Sequence, residues 1–382
     1  MSRLINRSTS AIIVTSIFDN GWVERVSRSI IASGEEATTR IIFISDQKTP
    51  RIIYDKIDAA RKLGVNILAP SIEEQRAFEK KLGIPGFFLE NSDHRRNIGY
   101  LLAWSEDVNF VISMDDDNFP LNNNFVDEHR RRLGEQQQRL HVSCSSRAFN
   151  NCAALSKEAL IYPRGFPLDR RSFAVHNGDS SAHSIRDCVV GANGGLWLES
   201  PDVDAISWLV RPVSIAEPRE LVDVVLDAGT YCPLNSQNTA VQRRFLPAYY
   251  FIRMGYDIGG GLKFDRLGDI YSGYFLQKVI ESFGCRISFG GPLVTHERNS
   301  HHFLRDANNE WGCLRTIDQF FNWFSQLTLC EGSVFDRYEH LADSLDEFAA
   351  TEAFLFTPSL TAGFYHSMAY DMRKWLSVIR RL

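Results

Sequence analysis

Over the first 120 residues, short unbroken apolar runs alternate with stretches whose apolar positions recur at helical spacing. Residues 11–14 form a largely β-branched run, the pattern of a strand covered on both faces. Residues 22–31 follow with Val23, Val26, Ile30 and Ile31 on one side of a helix. Strands are predicted again at 40–44, 65–68 and 110–114, and helices at 71–82, where the first turn is acidic, and at 95–104. Strands interleaved with helices of about ten residues imply right-handed βαβ units and a parallel sheet.

The pattern then changes. Residues 127–138 are dense in charge and predict a solvated helix, and 162–186 form an irregular stretch containing Pro163, Gly165, Pro167 and Gly178. Loops of that length in a compact domain are usually functional or disordered. An apolar run resumes at 194–198, a helix is expected at 202–209, an amphipathic helix at 270–283 and a strand at 286–289. Beyond residue 314 only helical patterns remain, at 317–327, 338–354 and 363–379. The expected organisation is a catalytic domain over 1–315 and a helical appendage over 316–382.

Composition narrows the class. The 382-residue chain has an ordinary globular makeup and a formal net charge of −5, which argues against broad nucleic-acid binding. No apolar run approaches the roughly 18–20 residues that span a bilayer, and the run at 11–18 lacks a small-residue cleavage site after it. Seven scattered cysteines without a C-x-x-C pair exclude a zinc ribbon and a disulfide framework, and suit reduced thiols in the cytoplasm. No G-x-G-x-x-G follows the first strand and no G-x-x-x-x-G-K-[ST] occurs, which disfavours dinucleotide oxidoreductases and P-loop kinases.

The strongest chemical signal is Asp115, Asp116 and Asp117 at the end of an apolar strand, where open α/β sheets place ligands. Strand alternation puts Asp115 and Asp117 on one face, a hard oxygen pair suited to Mn²⁺ or Mg²⁺. Arg95, Arg96 and Asn97 open a helix just upstream and form an anion-binding end. Asp46, at a strand end, is a candidate contact for a base or ribose, and Thr15 begins the loop after the first strand. Asp269 opens the helix at 270–283 as a helix cap, a sugar-hydroxyl contact or a general base. Trp197 is either a core residue or a stacking platform. Arg164 and Arg171 lie in the irregular stretch, as candidate bidentate clamps on a diphosphate.

Taken in order, these segments resemble GT-A nucleotide-sugar enzymes, and more specifically the reversibly glycosylated polypeptides, the UDP-arabinopyranose mutases. Arg96 to Tyr100 followed by Ser113 to Asp117 is similar to that family's R-x-x-G-[YF] and I-D-D-D. Arg164 to Arg171 resembles R-G-Y-P-F-S-L-R, keeping both outer arginines. Gly195 to Leu198 matches G-L-W-L, Pro201 to Ala205 is similar to P-D-Y-D-A, and Asp269 to Tyr274 resembles D-M-W-A-G-W. His296 stands where the family has a histidine. The chain departs from the pattern at Asn118, where the family has cysteine, at Gly268, where it has a second acid, and in the His- and Arg-rich stretch after His296, where His301 and His302 read as loop surface. The helical tail beyond about residue 327 shows no matching motif.

The resemblance implies a Rossmann-like α/β fold of the GT-A type with a mostly parallel sheet, flanking helices and the helical appendage. It implies a UDP-sugar as ligand, with Thr15, Asp46, Arg95, Arg96, Asn97, Asp115, Asp116 and Trp197 around it. A Mn²⁺ or Mg²⁺ ion would sit on Asp115, Asp117 and His296, and Arg164, Arg171 and Asp269 would serve catalysis. In the resembled family the arginine matching Arg164 carries a reversible sugar adduct, which a guanidinium with pKa above about 12 can do only after losing a proton. Pyranose/furanose interconversion of a UDP-pentose is the leading expectation. Sugar transfer to a glycan, lipid-linked or small-molecule acceptor is the alternative, and a non-catalytic partner subunit the third. A homo-oligomer is expected on general grounds.

Overall fold

The computed structural model describes residues 10–106, 108–156, 160–171 and 182–382. Its first part alternates strand and helix, with two helices before the last strand: β1 (Ser10–Ser16), α1 (Trp22–Ser33), β2 (Thr39–Ser45), α2 (Arg51–Lys62), β3 (Asn66–Leu68), α3 (Ile72–Lys81), α4 (Arg96–Ser105) and β4 (Phe110–Asp115). β1 pairs in parallel with both β2 and β4, and β2 with β3, giving the order β3-β2-β1-β4. Ile12 and Ile13 of β1 are both wholly buried because both sheet faces are covered. Helix α4 lies so close to β1 that a Cβ on Gly99 would stand 2.6 Å from Ile13 Cγ2. α3 is fixed at its start by a capping box between Ser71 and Glu74.

The second part is β5 (Asn118–Pro120), α5 (Phe125–Arg130), β6 (Gly134–Ser143), β7 (Ala182–Glu199), α6 (Ala205–Val210), β8 (Val222–Leu226), β9 (Asn238–Gln242), β10 (Tyr256–Gly259), β11 (Leu262–Phe264), α7 (Gly268–Ser282) and β12 (Arg286–His296). Among the described residues these extend the sheet to ten strands, in the order β3-β2-β1-β4-β9-β7-β6-β8-β12-β5, with β10 and β11 as a separate hairpin. β9 runs antiparallel to β4 and to β7, while β12 runs parallel to β7. The parallel half, the mixed extension and the acidic turn at the carboxyl end of β4 make the GT-A type of α/β fold.

Two local expectations are corrected. The helix predicted at 127–138 ends at Arg130, and 134–143 are strand β6. Gly134 takes φ +76°, which breaks the helix, and β6 then finds pairing partners in β7 and β8. Glu135, Gln137 and Gln138 at the start of β6 are exposed, so the polar run resembled a continuation of the charged helix before it. The irregular stretch at 162–186 ends in strand, since 182–186 already belong to β7 and pair with β6; residues 172–181 lie outside the described chain. The amphipathic helix α2, which buries Ile53, Ile57 and Ala60, and strands β8 and β9 were not anticipated.

Helices α8 (Phe303–Gln326), α9 (Val334–Thr351) and α10 (Pro358–Ile379) complete the chain. α8 is unbroken across residues 315 and 316, so the expected boundary falls inside one helix. The helices pack on the α/β core: Trp375 Nε1 donates to the Pro247 carbonyl at 2.9 Å, and Phe364 stacks on Phe264 at 4.4 Å between centroids. Phe354, Tyr365 and Trp375 are buried in the same continuous cluster as the strand residues. Among the described residues no helix is long and apolar enough to cross a membrane.

Asp371 of α10 is 4% exposed and its Oδ2 has no hydrogen-bond partner. Burial pushes its carboxyl up to about 6 from an ordinary value of 3.8, against the pull of Arg253 and Lys374. A native pKa above the unfolded one means no penalty below pH 3.8, stability falling as pH rises between 3.8 and about 6, and the full penalty above. Asp371→Asn is therefore expected to stabilise the fold by on the order of 2 kcal/mol at pH 7 and by little at pH 4, as read by urea unfolding at both pH values. Equal effects at the two pH values would show that the carboxylate carries no such penalty.

Candidate functional site

A cleft of about 570 Å³ opens at the carboxyl ends of β1, β2 and β4, the edge where such sheets bind ligands. One end is walled by the loops after β1 and β2. The Thr49 hydroxyl donates to the Ser16 carbonyl at 2.7 Å and ties the two loops together. Asp46 lines this end with its carboxylate held by the amides of Gln47 and Ser92, at 2.7 and 3.2 Å. Lys48 stands exposed beside it. Arg95 is 1% exposed, its guanidinium fastened to Gln75 Oε1, and its Nη1 is buried without a partner.

Arg96 ties the floor together. Its Nη1 donates to Ser236 and Ser113, and its Nη2 donates to Thr15 Oγ1 at 3.0 Å and to Asp115 Oδ1 at 2.5 Å. Burial opposes its charge, but Asp115 outweighs burial and holds the guanidinium well above its usual range.

The three aspartates fan out to three different partners. Asp115 turns to Arg96, Asp116 accepts from the Ser16 hydroxyl at 2.5 Å, and Asp117 faces His296, with Oδ2 3.4 Å from Nε2. Strand alternation had placed Asp115 and Asp117 together. The strand ends at Asp115, however, and β5 begins at Asn118, directly opposite His296 of β12. That antiparallel pairing, rather than β4, positions Asp117. His296 Nδ1 lies 2.6 Å from the Ser200 carbonyl. A carbonyl only accepts, so Nδ1 carries a proton; Nε2 faces Asp117, as a donor to it when the ring is charged and as a lone pair open to an ion when the ring is neutral. Burial opposes charge on both groups, yet their mutual attraction holds Asp117 below and His296 above its ordinary range. Burial drives Asp116 up to about 7.

Among the described residues, no group of three or more His, Cys, Asp or Glu side chains closes around a single point. The donors suit a divalent ion bound by few protein ligands. Asp117 supplies a hard oxygen, and His296 supplies an imidazole whose tautomer is fixed from behind by Ser200, as metal-bound histidines require. Ligand oxygens and water would fill the remaining positions.

Deeper in the cleft lies a buried charge network that the sequence only partly announced. Arg164 Nε and Nη2 donate to Asp202 at 2.9 and 3.1 Å, and Nη1 and Nη2 to Asp269 at 3.1 and 3.0 Å. Nη1 also donates to the Arg266 carbonyl. All five N–H groups are thereby engaged with protein acceptors, so Arg164 has no donor left to clamp a diphosphate. Burial opposes its charge, but Asp202 and Asp269 together hold it far above its usual range. The two acids are driven apart: burial raises Asp269 despite Arg164, whereas in Asp202 Arg164 overcomes burial and lowers it. Asn235 steadies Asp202 at 2.7 Å. α7 reaches this position because Gly273 passes against Leu234, where a Cβ would stand 1.9 Å from the carbonyl oxygen.

Thr15, Asp46, Arg95, Arg96, Asp115, Asp116, Asp117, Arg164, Asp269 and His296 all line the cleft. Three expected residues do not. Asn97 is wholly buried and uses its amide to tie His94 and Phe251 backbone groups together, at 2.8–2.9 Å. Trp197, 3% exposed, belongs to the core behind β7. Arg171 is paired with Asp204 at 2.6 Å. The unforeseen wall residues include Asp202, Ser236, Arg298 and Arg305. Asp202 lay inside the quoted P-D-Y-D-A-like segment, and the arginines lay in the His- and Arg-rich stretch. His301, expected at the surface, lines the cleft and contacts Asp306 at 2.8 Å.

Comparison with known proteins follows the same lines. UDP-arabinopyranose mutase 3 of Arabidopsis thaliana is 24% identical over 237 residues, covering 61% of this chain and 59% of that protein. UDP-arabinopyranose mutase 1 of the same plant is 27% identical over 215 residues, covering 55% and 53%. The match thus spans less than two thirds of these curated relatives. Among solved structures, a mannosyltransferase from Pyrobaculum calidifontis in complex with GDP-Man and Mn²⁺ is similar at 9% identity and a TM-score of 0.38, covering 99% of this chain and 74% of that one. The family model described as reversibly glycosylated polypeptide matches residues 88–380, continuing through the C-terminal helices where no motif had been visible. With that match across the acidic turn, the buried arginine network and the helical tail, the chain belongs to the reversibly glycosylated polypeptide family.

Proposed function

We propose that this chain is a metal-dependent nucleotide-sugar enzyme that interconverts the pyranose and furanose forms of a UDP-pentose. The observation that carries the reading is the Asp202–Arg164–Asp269 network, buried in the same cleft as the Asp117–His296 pair. Family membership and relatives named as UDP-arabinopyranose mutases support it. The nucleoside would occupy the end walled by Thr15, Asp46 and Arg95, and Asp117 and His296 would hold Mn²⁺ or Mg²⁺. That ion would supply charge neutralisation for the diphosphate as the anomeric C–O bond breaks.

The chain's own residues would do the rest. Arg96 fixes Asp115 and Thr15 in the floor. Asp269, whose carboxyl burial raises, would take the proton from the hydroxyl that closes the new ring and return one to the oxygen released by the old ring, and the departed UDP would then re-attack the anomeric carbon, so that no proton and no UDP is lost overall. Arg164 acts as a positioning residue that holds Asp269 and Asp202 apart. Its two carboxylates keep it charged, which opposes nucleophilic attack by its guanidinium. Seven scattered cysteines without a C-x-x-C pair are compatible with a cytoplasmic setting.

The test supplies purified chain with Mn²⁺ and UDP-pentoses, adds no acceptor, and follows the products by chromatography. An isomerised UDP-sugar is expected. Free UDP alone would favour transfer to an acceptor instead, a reading that the cationic wall around Arg298 supports. Binding without turnover would favour a partner subunit.

A further inference from the structure

Next to Asp269 the cleft ends on a cationic wall that the ring-isomerisation reading does not use. Arg266, Arg298, His301 and Arg305 line it. The acids within reach are already taken. Asp306 accepts from His301 Nδ1 at 2.8 Å and faces Arg266 Nη1 at 3.5 Å. Glu310 accepts from Arg266 Nε at 3.0 Å and from the Ala205 amide at 2.8 Å.

Arg298 approaches Asp306 only to 3.9 Å, beyond hydrogen-bonding distance. Its guanidinium rests over the rings of Trp208 and Phe303, at 4.8 and 5.3 Å. A cation–π contact of this kind satisfies none of the group's N–H donors, which remain to bind an anion. Arg305 stands exposed on the same wall. Lys48 and Arg95 line the nucleotide end of the same cleft, and Asp115, Asp116, Asp117, Asp202 and Asp269 are among the carboxylates that line it; Arg298 follows His296 by two residues, whereas Arg305 stands on α8. A diphosphate held beside Asp117 with a divalent ion would leave Arg305 and the N–H groups of Arg298 open to a second anion.

We propose that Arg298 and Arg305 form a second anion subsite, which takes a phosphate-monoester group on a small acceptor while the donor occupies the rest of the cleft. The inference rests on the nucleotide-sugar reading of the cleft but not on ring isomerisation. In the transfer it allows, the anomeric carbon's bond to the UDP oxygen breaks with its electron pair going to UDP. A bond forms from that carbon to an acceptor hydroxyl oxygen, and the hydroxyl proton passes to Asp269.

Calorimetric titration of the full chain with inorganic phosphate, with and without saturating UDP, tests the proposal. Phosphate is expected to bind the UDP-loaded chain. Arg298→Ala with Arg305→Ala is expected to weaken it by about tenfold or more, the loss of charge-assisted hydrogen bonds, with UDP affinity essentially unchanged. Arg305→Ala alone, at an exposed position, keeps the test open if the double variant misfolds, and is expected to show a smaller loss of the same kind. Phosphate binding that is absent, or unchanged in the variants, would overturn the proposal. So would a parallel loss of UDP affinity, which would assign the arginines to the donor diphosphate. If the wild type binds no UDP but its phosphate binding still needs both arginines, the nucleotide reading fails and the anion subsite stands.

Discussion

Asp117→Asn is expected to lower turnover of a UDP-sugar by roughly 10²–10³-fold and to weaken Mn²⁺ binding, with the fold intact. Asp117 is the one member of the acidic turn that faces His296, and the amide keeps its size while removing the charge that a divalent ion needs. The magnitude follows from losing preorganised electrostatic stabilisation of a leaving diphosphate. His296→Ala should act in the same direction, since the Ser200 carbonyl that fixes its ring is left with nothing to orient. Asp115→Asn should differ, because Asp115 is committed to Arg96, which also holds Thr15, and its loss loosens the floor of the cleft. Manganese titration followed by electron paramagnetic resonance, beside steady-state turnover, separates the two effects. Unaltered Mn²⁺ affinity in Asp117→Asn would remove that residue from the metal shell.

Arg164→Ala is expected to abolish activity and to destabilise the fold by about 3–5 kcal/mol, the cost of leaving a buried ion network without its cation. Asp202 and Asp269 would then face each other across an empty space. Arg164→Lys should rescue only part of the loss, because an ammonium has three donors where the guanidinium places five. Adding Asp269→Asn to Arg164→Ala should recover stability but not turnover, since it removes one of the stranded charges together with the proton acceptor. Urea unfolding reads the first quantity and product formation the second. An Arg164→Ala protein as stable as the wild type would contradict the network. Intact-mass measurement during turnover addresses the arginine separately: a sugar adduct on Arg164 would show that the guanidinium gives up a proton despite its two carboxylates.

Continuous apolar runs at 11–14, 40–44 and 110–114 became β1, β2 and β4, since a strand buried on both faces leaves that signature whatever its neighbours. The acidic turn after β4 and Arg96 before it were identifiable for the same reason, as polar residues where an apolar element stops. Charge density misled at 127–138, because the charges of 127–132 belong to α5 and its turn while the polar run at 135–138 begins a solvated strand. Hydrogen-bonding partners in β7 and β8, distant in sequence, settled the matter.

The sequence by itself determined the α/β class, the family, and the presence of an acidic turn, a histidine and an arginine-bearing segment in fixed order. Tertiary structure alone decided which of them meet. Strand β5 pairing with β12 set Asp117, and not Asp115, beside His296. The close passage of α7 past Leu234 carried Asp269 to Arg164, and the turn before α6 brought Asp202 to the same guanidinium. Periodicity along a chain records which face of an element is buried, but not what that face is buried against. A site assembled from residues as far apart as 115 and 296 therefore exists only once the sheet has chosen its strand order.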